Sequence, residues 1–200
     1  MNSTRRTVAA AITLLALTGC AGTAEQAPAA SADTRPSPAS SSAAAVNIER
    51  PATNDLVGES TADGARAFLY YYFDLKAYVL QTGDAAAMLE HLDGASSEQA
   101  EAERLQGVYD DGGWVLGGQP KVENVLLTTP EEEVVEGAEV TALIPVNPDA
   151  YTEFAEDGSV AEQRPFSPEG TIYTATVRFA DGAWTVSSLE ETPDADLPEA

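Results

Sequence analysis

The sequence offers few groups that could do chemistry. Tyr71, Asp74 and Tyr78 fall at i+3 and i+4 spacing, which brings them to one face of a helix. An aspartate base beside a hydroxyl-lined oxyanion site is an arrangement that isomerases use. The same spacing also describes a solvated carboxylate on an amphipathic helix, and residue types alone name no activity. His91 is the only histidine. A Ser or Cys triad needs a base oriented by a third group, and nothing near His91 in sequence supplies one, so it reads as a histidine near a helix end. Cys20 is the only cysteine, which rules out an intrachain disulfide. Gly112-Gly113 and Gly117-Gly118 flank Trp114. No Lys-Ser or Lys-Thr follows them, so they read as turn glycines and not as a phosphate loop. Glu131-Glu132-Glu133 reads as a solvated edge. The Asp-x-Asp-x-Asp-Gly pattern of an ordered Ca²⁺ loop is absent. These residues lead us to expect no catalytic constellation, no metal site and no cofactor.

Cys20 has a more specific setting. Arg5 and Arg6 precede an apolar run from Val8 to Leu17. Ten helical residues span about 15 Å, half of a roughly 30 Å hydrocarbon core. The run is therefore expected to be a signal-peptide core and not a membrane span. It ends at Leu17-Thr18-Gly19-Cys20, which resembles the lipobox of bacterial lipoproteins. In that chemistry the thiol takes a diacylglycerol as a thioether, and a signal peptidase cuts between Gly19 and Cys20. Two acyl chains anchor stably where one is marginal. The expected location is the extracytoplasmic face of a cell membrane. The Arg5-Arg6 pair fits either general or twin-arginine export.

Charge excludes other partners. Lys plus Arg is 10 and Asp plus Glu is 33, a formal net charge of −23. Loss of residues 1–19, with Arg5 and Arg6 and no acid, would make it about −25. Such a chain repels nucleic acid and anionic lipid headgroups, so its membrane partner is expected through lipid on Cys20. Residues 20–55 are rich in Ala, Ser, Thr and Pro. This composition predicts a disordered tether, reaching about 30 Å on r.m.s. average. Residues 191–200 read as an acidic, frayed tail.

Residues 56–190 carry the folded pattern. Phe68, Leu69, Tyr72, Leu75 and Val79 predict a helix from Asp63 to Leu80, apolar on most sides and so buried on most sides. Asp84 to Leu92 reads as a short second helix, and Ser96 or Ser97 to Tyr109 as a third. The period then changes to two. Strands are predicted over Val122–Leu127, Val134–Val146, Thr171–Ala180 and Ala183–Leu189, the last two joined by an Asp181-Gly182 turn. The stretch holding Pro148, Pro165 and Pro168 reads as a loop. This order predicts an α+β domain, with three N-terminal helices packed on a curved antiparallel sheet of about four strands.

That order resembles the NTF2-like cone. The stretch from Thr61 to Glu190 also resembles a family of uncharacterised actinobacterial lipoproteins of unknown domain function. The likeness is carried by Ala67-Phe68-Leu69-Tyr70-Tyr71-Tyr72, Thr82-Gly83-Asp84 and Tyr109-Asp110-Asp111-Gly112-Gly113 with Gly117-Gly118. Some members carry a cysteine pair before the third helix, and residues 94–103 have none here. The resemblance implies location and fold, and supplies no activity.

A cone has an open mouth. Six of the fourteen aromatics lie between Phe68 and Tyr78, so Tyr71, Asp74, Tyr78 and Trp114 are the candidate pocket residues. Core packing would explain the same aromatics. The expected role is a non-enzymatic binding module for a small apolar ligand or an envelope partner. Alternatives are an accessory docking subunit of an envelope complex, or a small cone-fold enzyme using Asp74 or a tyrosine.

Overall fold

Helix α1, Ala62–Thr82, forms close to where the apolar period predicts it. Thr61 caps its start, its hydroxyl accepting from Gly64 N at 3.0 Å. Gly83 ends it in the left-handed region at φ +71°, with its N–H on Val79 O at 2.8 Å. A Cβ there would lie 2.6 Å from the Tyr109 ring, so the position needs glycine on two counts. The computed structural model describes residues 33–197. The expected signal peptide and Cys20 lie outside them. Among the described residues, no helix is long and apolar enough to cross a membrane.

The short helix α2, Ala86–Leu89, and the longer α3, Ser96–Asp110, follow. Both pack on α1. Eight strands come next among the described residues. They are β1 (Trp114–Gly117), β2 (Pro120–Val122), β3 (Leu126–Leu127), β4 (Glu139–Pro148), β5 (Tyr151–Phe154), β6 (Val160–Arg164), β7 (Thr171–Ala180) and β8 (Ala183–Glu191). One antiparallel sheet runs β1-β5-β6. The other runs β2-β4-β7-β8, with β3 end to end with β2 along β4.

This corrects the expected architecture. The NTF2-like arrangement of three N-terminal helices on about four strands is replaced by two sheets and eight strands. The helices are also internal, since residues 34–61 precede them with structure of their own. The reasons are local. Strand β6 is exposed at all five positions, so it has no alternation to betray it. Strand β5 lies just after Pro148, in a stretch that reads as loop. Strand β1 hides between glycines, and Gly117 and Gly118 at φ +77° and +76° bring Gly118 N onto Ala150 O at 3.0 Å. Strand β4 begins later than expected because Glu131–Glu133 forms a 3-10 turn and Gly137 turns the chain at φ +82°.

The core lies between α1 and the larger sheet. Phe68, Leu69, Tyr72 and Leu75 of α1 are fully buried, as are Val140, Ala142 and Ile144 of β4 and Val177 and Val186 of β7 and β8. Trp184 is 1% exposed, lies parallel to Phe68 at 6.2 Å and donates from Nε1 to Glu59 O at 3.0 Å. The hydrogen bond removes the penalty of burying an indole N–H. Asp181 and Gly182 turn β7 into β8 with positive φ at both, as their sequence predicts. Leu92 bridges Val186 in parallel, with Asp93 N on Val186 O at 2.9 Å and Val186 N on His91 O at 2.7 Å, which covers the outer edge of β8.

Part of the stretch expected to be a free tether folds back on itself. Ser37 pairs with Val46 and Ser40 with Ala43, making a small hairpin strap. Trp114 Nε1 donates to Ser40 O at 2.9 Å. The strap satisfies an indole that is 7% exposed and stacked on Phe154 at 5.0 Å. At the other end, Thr192 N donates to Ile172 O at 2.7 Å, so the larger sheet runs slightly into the acidic tail.

Candidate functional site

A cleft of about 670 Å³ opens between α1, α3 and the place where the two sheets meet. Its floor is core: Phe73, Val79, Met88, Leu105, Val146 and Leu189 line it. Its walls are charged and aromatic.

The helix wall is built on Glu98. It stands at the third position of α3, is 7% exposed, and is the one buried charged side chain among the described residues. Tyr72 OH donates to its Oε2 at 2.9 Å, and Lys76 Nζ, one turn further along α1, pairs with the same oxygen. Burial and the neighbouring Glu98 charge push the Tyr72 phenol far above its ordinary value, which fixes it as a donor. Helical spacing also places Glu101 and Arg104 on this side of α3.

Arg104 joins the helix wall to the smaller sheet. Its Nε and Nη2 meet Glu101 at 2.8 and 3.1 Å, its Nη1 meets Glu153 Oε2 at 2.7 Å, and its Nη2 reaches Tyr151 OH at 3.1 Å. Tyr151 OH donates to Glu153 Oε2 at 2.6 Å. Burial works against the Glu153 charge, but Tyr151 and Arg104 outweigh it and hold the carboxyl below the usual range. The Glu101 hydrogen bonds, opposed by burial, raise the Arg104 guanidinium, so it stays a cation.

The sheet wall presents two tyrosines. The Arg164 guanidinium lies 4.0 Å over the Tyr151 ring, and its Nε pairs with Glu162 at 3.1 Å. Tyr173 stands edge-on to Phe73 at 5.8 Å and donates to Glu191 Oε1 at 3.0 Å. Burial, then the Glu191 charge, raise its phenol. Among the described residues, no group of three His, Cys, Asp or Glu side chains converges on a metal position. The arrangement places fixed charges and aromatic faces over an apolar floor, which suits it to holding a molecule.

A model described as a family of unknown function, DUF6318, matches residues 35–190. The chain belongs to the DUF6318 family. The match takes in the strap as well as the helices and sheets. No curated protein matches the chain. Among solved structures, the intermembrane space region of the chloroplast protein ARC6 is similar at a TM-score of 0.44 and 10% identity, over 66% of this chain and 97% of that one. A likeness at that level carries no argument.

None of the four residues expected to form a pocket lines the cleft of this DUF6318 chain. Tyr71 is buried, edge-on to His91 at 5.7 Å. Asp74 is exposed, and partial desolvation raises its carboxyl. Tyr78 OH donates to Asp84 at 3.2 Å, and Trp114 serves the strap. His91 Nδ1 lies 3.2 Å from Trp184 O, within the aromatic core. Cys20 and Gly19 lie outside the described residues. Sequence reasoning missed Glu98, Arg104, Tyr151, Arg164, Tyr173 and Glu191. Two signals were present: Glu98, Glu101 and Arg104 repeat every three residues on one helix, and Lys76 is one of only two lysines, set within an apolar helix.

Proposed function

We propose that this DUF6318 chain is a non-enzymatic binding module, tethered through lipid on Cys20 to the extracytoplasmic face of a membrane. The cleft is the observation that carries the binding reading. Its volume of about 670 Å³ lies within the range of small-molecule sites. Its lining mixes apolar floor and polar wall, so the ligand is amphipathic and not simply apolar. The tether reading rests on the Leu17-Thr18-Gly19-Cys20 sequence and the basic, apolar run before it.

One experiment tests both parts. The full chain is isolated from its own membrane in mild detergent and weighed intact, native and then denatured. The expected result is a polypeptide beginning at Cys20 with acyl mass on it, and a further non-covalent mass that disappears in Thr171→Trp, which fills the cleft. A start elsewhere, or no acyl mass, overturns the tether. A non-covalent mass absent from the wild type, or unchanged in the variant, overturns the cleft as the binding site.

A second reading is an accessory subunit that docks through the smaller sheet. It is favoured by β6, which pairs on one side only, begins at the exposed Val160 and is followed by the exposed Phe166.

A further inference from the structure

We infer that the cleft selects a cation: an organic ammonium head on a short apolar body. This rests on the reading of the cleft as a binding site and adds the class of ligand. Most of the charges in the cleft are already paired. Lys76 is paired with Glu98, Arg104 with Glu101 and Glu153, and Arg164 with Glu162. An anionic ligand would have to share a cation that already has a carboxylate beside it. Glu191 differs, because among the described residues it has no cationic partner and accepts only from Tyr173 OH. It lines the cleft beside Tyr173, whose ring stands edge-on to Phe73 of the floor. A carboxylate beside an aromatic ring is a setting in which an ammonium is held by charge and by the ring quadrupole together.

A second observation is independent of Glu191. The chain already lays a cation on an aromatic face in this cleft. The Arg164 guanidinium covers Tyr151 at 4.0 Å, although its side chain is 58% exposed and its strand β6 is exposed throughout. That tyrosine face therefore accepts a cation, and Arg164 occupies it from a position it can leave. An ammonium entering the cleft competes with Arg164 for Tyr151 while its apolar body lies over Leu105 and Leu189. The formal charge of −23 favours the approach of cations from solution and disfavours anions.

The test is a titration of the purified full chain with three probes of similar length: hexyltrimethylammonium, heptanoate and heptanol. Calorimetry gives the affinities and amide chemical shifts give the place. The expected result is binding of the ammonium about tenfold tighter than either other probe, with shifts at Tyr151, Tyr173 and Glu191. Glu191→Gln should weaken the ammonium about tenfold. Arg164→Gln should tighten it severalfold by baring Tyr151. Heptanol affinity should be the same in both variants. Both side chains are exposed, and unchanged circular dichroism verifies folding. A purely structural role cannot move the two variants in opposite directions. If heptanoate or heptanol binds the cleft as tightly as the ammonium, cation selection is overturned and the cleft remains a binding site. If no probe binds, selection is overturned as well, and the non-covalent mass described above decides the fate of the cleft separately.

Discussion

Glu98 shows what a single buried charge can impose. Its partners come from the other helix, and the side chains of Glu98 and Lys76 are 9% and 17% exposed. Desolvating such a pair costs much of what the attraction returns, so the pair adds little net stability; removing one partner is what costs most. Glu98→Gln leaves the Lys76 ammonium unmatched and should lower unfolding free energy by about 3 kcal/mol, read from the urea midpoint. Adding Lys76→Met should recover most of the loss. Glu153 gives a pH signature. Its carboxyl is held below its ordinary value of 4.5, so the folded state binds its proton less readily than the unfolded chain does. The stability it adds is present above about pH 4.5 and is lost as pH falls through the lower folded value. The stability gap between wild type and Glu153→Gln should therefore be constant near neutrality and close progressively below about pH 4.5, as measured by denaturation at stepped pH. Glu153 left no signal in the sequence, and the three-residue repeat on α3 does not single out Glu98. What distinguishes Glu98 from Glu101 is burial, and burial depends on an α1 side chain 22 positions away.

Elements with one buried face were legible, and those without were not. The period in α1 and α3 and the alternation in β7 and β8 gave those elements to within a few residues, because a repeating contact with the core writes a repeating pattern. Strand β6 has no such contact and left no pattern. The strap was concealed for another reason. Ser, Ala and Pro hide its pairing, and its attachment depends on Trp114, 74 residues away. Deleting residues 34–46 should strip the Trp114 and Phe154 stack of cover and leave a buried indole N–H unmatched. The expected loss is about 1–3 kcal/mol, measured as a lower thermal midpoint; an unchanged midpoint would show that the strap contributes nothing to the fold.

For the chain as a whole, composition constrained more than topology did. The acidic excess disfavours polyanions whatever the fold. The number of sheets did not follow from the elements, because β1, β5 and β6 pair across loops whose residues carry no periodic signal. The cleft was illegible for the same reason: its charged and aromatic groups are scattered from Lys76 to Glu191 and meet only when both sheets are in place.

The strap also bears on how the domain responds to mechanical load. In the tethered form proposed above, tension entering at residue 34 would reach the crosswise ties at Ser37 and Ser40 and the indole bond of Trp114 before it reached α1. Those few bonds yield one after another, whereas the long strands β4, β7 and β8 resist together. Peeling the chain as far as Asn54 pays out up to about 70 Å of slack, at about 3.4 Å per residue. A jolt entering there would be taken up in lengthening the strap before it reached the elements that line the cleft.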